Sequence, residues 1–217
     1  MSKVLFIDGV DKVGKTTLIQ QLKSKYESID FSVTVDALLP VIEKVESVED
    51  KLFGLTRQWY TSGRNKQQPT EAVLLMATAV MTSLERINQH DTDIVLVDRS
   101  LASFYVYQFY LNHIEALENE SILHKDAAYQ ASQLMVSALR NKIPKDSMLL
   151  QLTVNSQQPR MVAEDEQERY FNRYFNYCVT GFDIHFKQYN LNKQQIVVDG
   201  LTQDQVLSKV LNTLGLV

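Results

Sequence analysis

The chain has 217 residues, of which 45% are hydrophobic and 22% charged, and its formal net charge is −4. This composition is typical of a soluble globular protein and gives no support for a nucleic-acid-binding surface, which usually carries a basic excess. The single cysteine, Cys178, excludes an internal disulfide and indicates a reducing compartment. Because no apolar run reaches membrane-spanning length and no signal-peptide pattern is present, we expect one cytoplasmic domain over residues 1–217.

A glycine-bearing motif lies near the start of the chain, directly after a short apolar run at residues 4–7 that predicts a strand. The motif is Gly9-Val10-Asp11-Lys12-Val13-Gly14-Lys15-Thr16, which fits the P-loop pattern G-x-x-x-x-G-K-[ST]. The residues that follow have the apolar spacing of a helix. The order of strand, loop and helix is the context in which this pattern binds phosphate, whereas the alternative is an ordinary βα turn that contains glycines.

The P-loop predicts a nucleotide site with defined roles for its residues. Backbone N–H groups of the loop and the N-terminus of the helix form a concave positive site for phosphate. Lys15 can reach the β- and γ-phosphates, and the hydroxyl group of Thr16 can hold Mg²⁺. The predicted ATP-binding residues are Gly9, Val10, Asp11, Lys12, Val13, Gly14, Lys15, Thr16 and Thr17.

Strands and helices are predicted to alternate along the chain. Apolar runs predict buried strands at 3–7, 32–36, 93–97, 147–152 and 195–198. Helical patterns follow the P-loop and cover 70–87, 100–118, 124–141, 164–189 and 203–214. This alternation indicates an α/β fold of three layers, with a five-stranded parallel sheet flanked by helices.

A polar segment at about 155–168 breaks this pattern. It contains Pro159 and lies between the fourth strand and the aromatic-rich helix at 164–189. We expect it to form a mobile lid inside the domain instead of a boundary between two domains.

An acid and a base end the third predicted strand, at Asp98 and Arg99. Ligands of open parallel α/β sheets gather at the carboxyl ends of the strands, so this pair faces the P-loop if the first and third strands are neighbours. Asp98 can then orient Mg²⁺ or anchor Arg99, and the planar guanidinium of Arg99 matches phosphate oxygens. The alternative is a structural salt bridge at the start of the next helix.

With these two motifs the chain resembles the thymidylate kinases, a family of P-loop nucleoside and nucleotide kinases. In the family's loop, glycine-x-aspartate-basic-x-glycine-lysine, the matching residues are Gly9, Asp11, Lys12, Gly14 and Lys15. In the second motif they are Asp98, Arg99, Ser103, Tyr107 and Gln108. The resemblance extends from the first strand to the last helix and is specific only at these two motifs.

The resemblance implies a set of catalytic and binding residues. The catalytic set is Lys15, Lys12, Arg99, Asp98 and the lid residue Arg160; the acceptor-binding set is Asp11, Arg99, Ser103, Tyr107 and Gln108; the metal ligands are Thr16 and Asp98. Asp11 would contact the sugar 3′-hydroxyl of the acceptor, and Arg99 would hold its α-phosphate. Lys12 and Arg160 would stabilise the transferring phosphoryl group. The family usually forms homodimers, so a homodimer is expected on the same ground.

Two further arginines, Arg169 and Arg173, are weaker candidates for the same site. They lie four residues apart on one helix face, next to the lid. The alternative is surface pairing with nearby acids such as Asp165 and Glu166.

Departures from the family pattern fall on the part that reads the acceptor. After the second strand, residues 34–40 lack the arginine that the family uses on the acceptor phosphate. In the central helix, residues 75–81 lack the phenylalanine that stacks on thymine and the arginine that follows it. Nearby residues that could supply stacking and charge instead are Arg57, Trp59, Tyr60 and Arg64; the alternative for Trp59 is helix packing.

Three functions are therefore considered for this chain. The favoured one is phosphoryl transfer from Mg²⁺-ATP to a (deoxy)nucleoside monophosphate, dTMP or a related pyrimidine deoxynucleotide, which yields the diphosphate. The second is a deoxynucleoside kinase, in keeping with the missing acceptor arginine. The third is a non-catalytic nucleotide-binding regulator with the same fold. None of the three involves nucleic acid or a membrane.

Overall fold

The computed structural model describes residues 3–25, 31–34, 46–62, 68–87, 92–111, 114, 118, 122–155, 169, 172–190 and 192–215. Its strands are β1 (Lys3–Gly9), β2 (Phe31–Thr34), β3 (Ile94–Asp98), β4 (Met148–Thr153) and β5 (Asn192–Val197). Its helices are α1 (Lys15–Lys25), α2 (Val48–Thr61), α3 (Pro69–Ile87), α4 (Leu101–Phe104), α5 (Ile122–Arg140), α6 (Phe175–Gln188) and α7 (Gln203–Leu214). Arg160, Arg64 and lid residues 156–168 lie outside the described residues.

The strands form one sheet in the order β2-β3-β1-β4-β5, and every pair of neighbours is parallel. The α/β class and the parallel sheet flanked by helices, both predicted from the sequence, are confirmed. In the register of β1 and β3, Ile7 lies beside Asp98. The P-loop after β1 and the turn after β3 therefore leave the sheet at the same edge, as the interpretation of the two motifs required.

The three central strands are buried along nearly their whole length. Only Lys3 of β1 is exposed, β3 is buried throughout, and β4 is buried after its first residue. Such continuous burial indicates that helices cover both faces of the sheet. Helix α1 packs against β1, β3 and α7, whereas α4 packs against β1 and contacts α3, α5 and α6.

Edge strand β5 begins earlier than the apolar pattern predicts, at Asn192 instead of residue 195. Its residues alternate between exposed and partly buried up to Ile196. The strand pairs with β4 through backbone hydrogen bonds, which polar side chains form as well as apolar ones do. Apolar content alone therefore misses the first half of the strand.

The helical layer holds one element that the sequence did not predict, α2. Its inner face buries Phe53 and Thr56, and it packs against α3. Between these two helices, the partly exposed Arg86 of α3 lies over the ring of Phe53 and donates to Asp50 at 3.0 Å. Helix α3 itself closely matches the predicted 70–87. No described helix is both long and apolar enough to cross a membrane.

The predicted helix 100–118 changes its winding after four residues. Residues 105–110 form a π-helix, in which the N–H of Leu111 donates to the carbonyl of Val106, five residues earlier. Helix α6 packs closely on this segment at Gly181, where a Cβ atom would lie 2.8 Å from the ring of Tyr110. The predicted helix 164–189 is likewise shorter in its described part, where continuous helix starts at Phe175.

A histidine of α6, His185, is fully buried beside the π-helix. The ring centroids of Tyr105 and Tyr189 lie 5.3 and 5.7 Å from its own. Neither ring nitrogen has a hydrogen-bond partner within the described part of the chain. Burial, reinforced by the positive charges of Arg140 and Lys193, lowers the pKa of His185 to about 3.

This histidine is expected to make the fold sensitive to acid. Between pH 6.5 and about pH 3 the unfolded imidazole binds a proton that the buried one does not, so the free energy of unfolding falls as the pH drops. From pH 7 to pH 5 the loss is about 2 kcal/mol. Urea unfolding at both pH values checks this, with His185→Phe as the variant that keeps a ring but cannot be protonated. An equal loss of stability in both proteins would contradict it.

Candidate active site

The P-loop leaves β1 through a glycine that no other residue can replace without a collision. Gly9 has φ +141°, and a Cβ atom there would overlap the carbonyl oxygen of Leu152 on β4. The next residues carry the turn to α1 with φ of 62° at Lys12 and 101° at Gly14. A non-glycine residue in the left-handed region is uncommon, which marks Lys12 as part of a specialised turn.

Lys15, the first residue of α1, points its ammonium group back into the loop. Its Nζ donates to the carbonyl oxygens of Gly9 at 3.1 Å and Val10 at 2.9 Å, and lies 3.8 Å from Asp11 Oδ1. The side chain is only 6% exposed. Burial, together with the nearby guanidinium of Arg99, lowers the pKa of Lys15. The loop thus holds a cation at its centre, as a phosphate site requires.

Thr16 and Asp98 meet across the gap between α1 and β3. The hydroxyl group of Thr16 donates to Asp98 Oδ2 at 3.0 Å. The described residues hold no cluster of three or more His, Cys, Asp or Glu side chains that would cage a metal. One carboxylate and one hydroxyl nevertheless fit Mg²⁺, which prefers oxygen ligands and takes most of its coordination from water and substrate phosphates.

Arg99, in the turn after β3, reaches the P-loop. Its guanidinium donates to Asp11 Oδ1 at 2.8 Å and lies over the ring of Tyr107 at 5.7 Å. Its backbone has φ of 69°, and its N–H donates to the carbonyl of Ile7 at 2.9 Å. This conformation costs of order 1–3 kcal/mol and persists only where the surroundings enforce it.

A buried carboxylate outside the predicted site residues, Asp8, contacts the start of the P-loop and the turn after β3. It accepts hydrogen bonds from the hydroxyl groups of Ser100 and Ser103 and from the backbone N–H groups of Gly9 and Ser103. Burial raises the pKa of Asp8, and these hydrogen bonds oppose that shift. The sequence does contain a signal for this residue, because Asp8 is an acid at the end of an otherwise apolar strand. Ser103 is fully buried against Asp8, and its contact with an acceptor stays a prediction.

Tyr107 and Gln108, the other predicted acceptor residues, belong to the π-helix. Tyr107 is partly buried, packs edge-on against Phe182 at 6.0 Å, and has a pKa well above its usual value because of burial. Gln108 is nearly buried, and its carbonyl accepts a hydrogen bond from Ser132 of α5. The ring of Tyr107 lies beneath the guanidinium of Arg99 and so lines the site.

Other candidates are dispersed around this centre. Lys12 is exposed on the loop, whereas Val10 and Val13 are buried beneath it. Arg173 is 69% exposed and pairs with Glu118 at 3.4 Å. Cys178 is buried, and burial raises the pKa of its thiol to about 12, so it behaves as a small apolar residue.

Of the two segments that depart from the family pattern, residues 35–40 lie outside the described residues, whereas four of the seven residues at 75–81 are buried and Thr78 is exposed. Met76, Ala77 and Val80 of α3 are each at most 3% exposed. Arg57 of α2 is exposed and Trp59 is partly buried. The side chains of Tyr60 and Arg64 lie outside the described residues.

Comparisons with known proteins find similar structures but no match by sequence. No protein-family model and no curated protein matches the chain. Among solved structures, a thymidylate kinase from Candida albicans matches with a TM-score of 0.70 at 17% identity, over 99% of this chain and 92% of the other. A thymidylate kinase from Ehrlichia chaffeensis matches with a TM-score of 0.57 at 16% identity, over 99% of both chains. The chain therefore has the thymidylate kinase fold, over nearly its whole length.

Proposed function

We propose that this chain transfers the γ-phosphoryl group of ATP to a (deoxy)nucleoside monophosphate and releases the diphosphate. The observation that carries this proposal is the contact between the two motifs. Asp11 of the P-loop lies 2.8 Å from the guanidinium of Arg99 and 3.8 Å from the ammonium of Lys15. The same carboxylate thus lies next to Lys15, which suits the donor phosphates, and next to Arg99, which suits an acceptor phosphate. Phosphate groups bound by these two cations would therefore lie close together.

The donor side of the site uses the loop and the start of α1. Backbone N–H groups and Lys15 would bind the phosphates of ATP, and Lys15 would exchange its carbonyl partners for phosphate oxygens. Thr16 and Asp98 would hold Mg²⁺, which neutralises negative charge on the donor phosphates when bound. Lys12, exposed on the loop, and Arg160 of the proposed lid would approach the transferring group.

The acceptor side uses Arg99 and Asp11. Both side chains are about a quarter exposed, so an incoming phosphate can reach the guanidinium and replace the carboxylate on it. Asp11 is then released beside the acceptor, where it can accept a hydrogen bond from a sugar hydroxyl. Because Arg99 presents a planar fork, it suits a monophosphate better than a lysine would.

The base of the acceptor is proposed to be a pyrimidine, with dTMP as the first candidate. Residues 75–81 supply no aromatic ring and no arginine, so the base must be held by other contacts than those of the resembled family. The Candida albicans enzyme, which shares the fold, is described as having broad substrate specificity. A changed acceptor pocket is therefore compatible with this fold.

A deoxynucleoside kinase is the second candidate, favoured by the absence of arginine from residues 34–40. An acceptor without phosphate has no need of a second arginine. In this case Arg99 would stabilise only the transferring phosphoryl group.

An ADP-release assay over nucleosides and nucleoside monophosphates tests these candidates. We expect turnover with a monophosphate, dTMP or another pyrimidine deoxynucleotide, and none with nucleosides. Turnover with nucleosides alone would replace the proposal by the second candidate. ATP binding without turnover on any acceptor would instead indicate the non-catalytic regulator. Running the assay on monomeric fractions from a sizing column also tests the proposed homodimer, because full activity there would remove any need for it.

A further inference from the structure

The buried carboxylate of Asp8 connects the P-loop with the turn that follows β3. It is fully buried at the end of β1, one residue before the P-loop begins. Its carboxylate accepts hydrogen bonds from the hydroxyl groups of Ser100, which directly follows Arg99, and of Ser103 in α4. We propose that Asp8 is a positioning residue that fixes the turn carrying Arg99 against the P-loop. This inference rests on the proposed function.

The hydrogen bonds of Asp8 require a carboxylate and not merely a polar side chain. Oδ1 accepts from the N–H of Gly9 at 3.0 Å, and Oδ2 accepts from the N–H of Ser103 at 3.3 Å. Each oxygen also accepts one serine hydroxyl group. An asparagine amide, in either orientation, would place its NH₂ group against a backbone N–H that cannot turn away. Hence Asp8→Asn keeps the size of the side chain but loses the anchor.

The backbone of Arg99 shows why such an anchor matters. Its left-handed conformation is bounded on one side by the hydrogen bond from its N–H to Ile7. On the other side it is bounded by Ser100, whose hydroxyl group caps α4 by accepting from the N–H of Ala102 and donates to Asp8. With Ser100 released, the turn can relax toward ordinary φ values and the guanidinium leaves Asp11.

The first test is a double-mutant cycle with Arg99. Asp8→Asn is expected to lower kcat/KM for the acceptor by about 100-fold while the KM for ATP stays within about threefold. On an Arg99→Ala background the same substitution is expected to cost less than about threefold, because the residue through which it acts is gone. An equal loss on both backgrounds would overturn the proposal, since it would mean that Asp8 acts through general stability.

The matched control is Leu84→Ala, which opens a cavity in the core at α3. Leu84 is 2% exposed, belongs to the hydrophobic core and is not one of the residues proposed for the site. We expect it to lower the urea midpoint at least as much as Asp8→Asn does, yet to change kcat/KM by less than about threefold. If Asp8→Asn does not fold, Ser100→Ala removes one bond of the same anchor and enters the same cycle, with an expected loss of about tenfold.

A second readout needs no turnover. The N–H of Arg99, bonded to Ile7, is expected to exchange with deuterium at least about tenfold faster in Asp8→Asn, while the N–H groups within β3 keep their protection. Unchanged protection at Arg99 would overturn the inference. If the wild-type protein phosphorylates no nucleotide, the proposed function fails, but hydrogen exchange still decides whether Asp8 holds the turn.

Discussion

Replacing Lys15 with Met is expected to reduce kcat by at least about 10²-fold without unfolding the protein. The ammonium group of Lys15 lies in the P-loop, where the proposed reaction would develop charge on the transferring phosphoryl group. Its removal therefore acts on the transition state more than on the bound substrates. Because the side chain is 6% exposed and its pKa is already lowered by burial, an apolar side chain of similar length fits the same space. Steady-state kinetics and urea unfolding of the variant measure both effects.

Lys142→Met is the control for this substitution. Lys142 lies on the surface, where it pairs with Glu85 at 4.0 Å, and both side chains are more than half exposed. Such pairs contribute little to stability, so activity and unfolding should stay close to those of the wild-type protein. Near-normal turnover in Lys15→Met would contradict the assignment of the P-loop.

Replacing Arg99 with Lys is expected to raise the KM of the monophosphate acceptor and to lower kcat/KM for it by about 10²-fold. Lysine keeps the positive charge but loses the fork that can bind two phosphate oxygens at once. The KM for ATP should change little, because the proposed donor site consists of the P-loop and Lys15, which this substitution leaves unchanged. Initial rates with one substrate varied at a time separate the two constants.

Arg86→Lys is a close structural match for that change. Arg86 also pairs with an aspartate, Asp50, at 3.0 Å and also lies over an aromatic ring, that of Phe53 at 5.0 Å. It joins α2 to α3 instead of two phosphate-binding elements, so its replacement should alter stability slightly and the acceptor KM not at all. An acceptor KM that is unchanged in Arg99→Lys would contradict the role assigned to Arg99.

Substrate binding is expected to rearrange the charges that the structure shows. In the structure, Lys15 is held by the carbonyls of Gly9 and Val10, and Arg99 by Asp11. Phosphate oxygens must displace these partners, which offsets part of the binding energy. In return, the cations are held near their working positions before the substrates arrive.

The parts of the site that follow from local chemistry could be predicted from the sequence. The P-loop needs its glycines and Lys15 at a fixed spacing, and Asp98 and Arg99 directly follow an apolar run. Both motifs can therefore be recognised from the sequence alone. The two motifs come together only because β1 and β3 are neighbours in the sheet. The sequence does not determine this order of strands, which the structure shows.

The remaining features depend on contacts between distant segments. The hydrogen bonds of Asp8 to Ser100 and Ser103 span more than ninety residues of sequence. The π-helix at 105–110 differs from an α-helix by a hydrogen-bond shift that leaves the apolar pattern almost unchanged. Helix α2 was not predicted because, among its described side chains, only Phe53 and Thr56 are buried. Each of these features is fixed by tertiary packing instead of by local propensity.

A crystal structure with a bisubstrate analogue, in which adenosine and thymidine are joined through a chain of phosphates, tests whether the two motifs bind two nucleotides. We expect the donor phosphates on the P-loop and Lys15, and the guanidinium of Arg99 moved from Asp11 onto the phosphate next to thymidine, within hydrogen-bonding distance. A complex in which Arg99 stays paired with Asp11 and the thymidine half lies outside the site would contradict the claim that the two motifs bind two nucleotides for phosphoryl transfer.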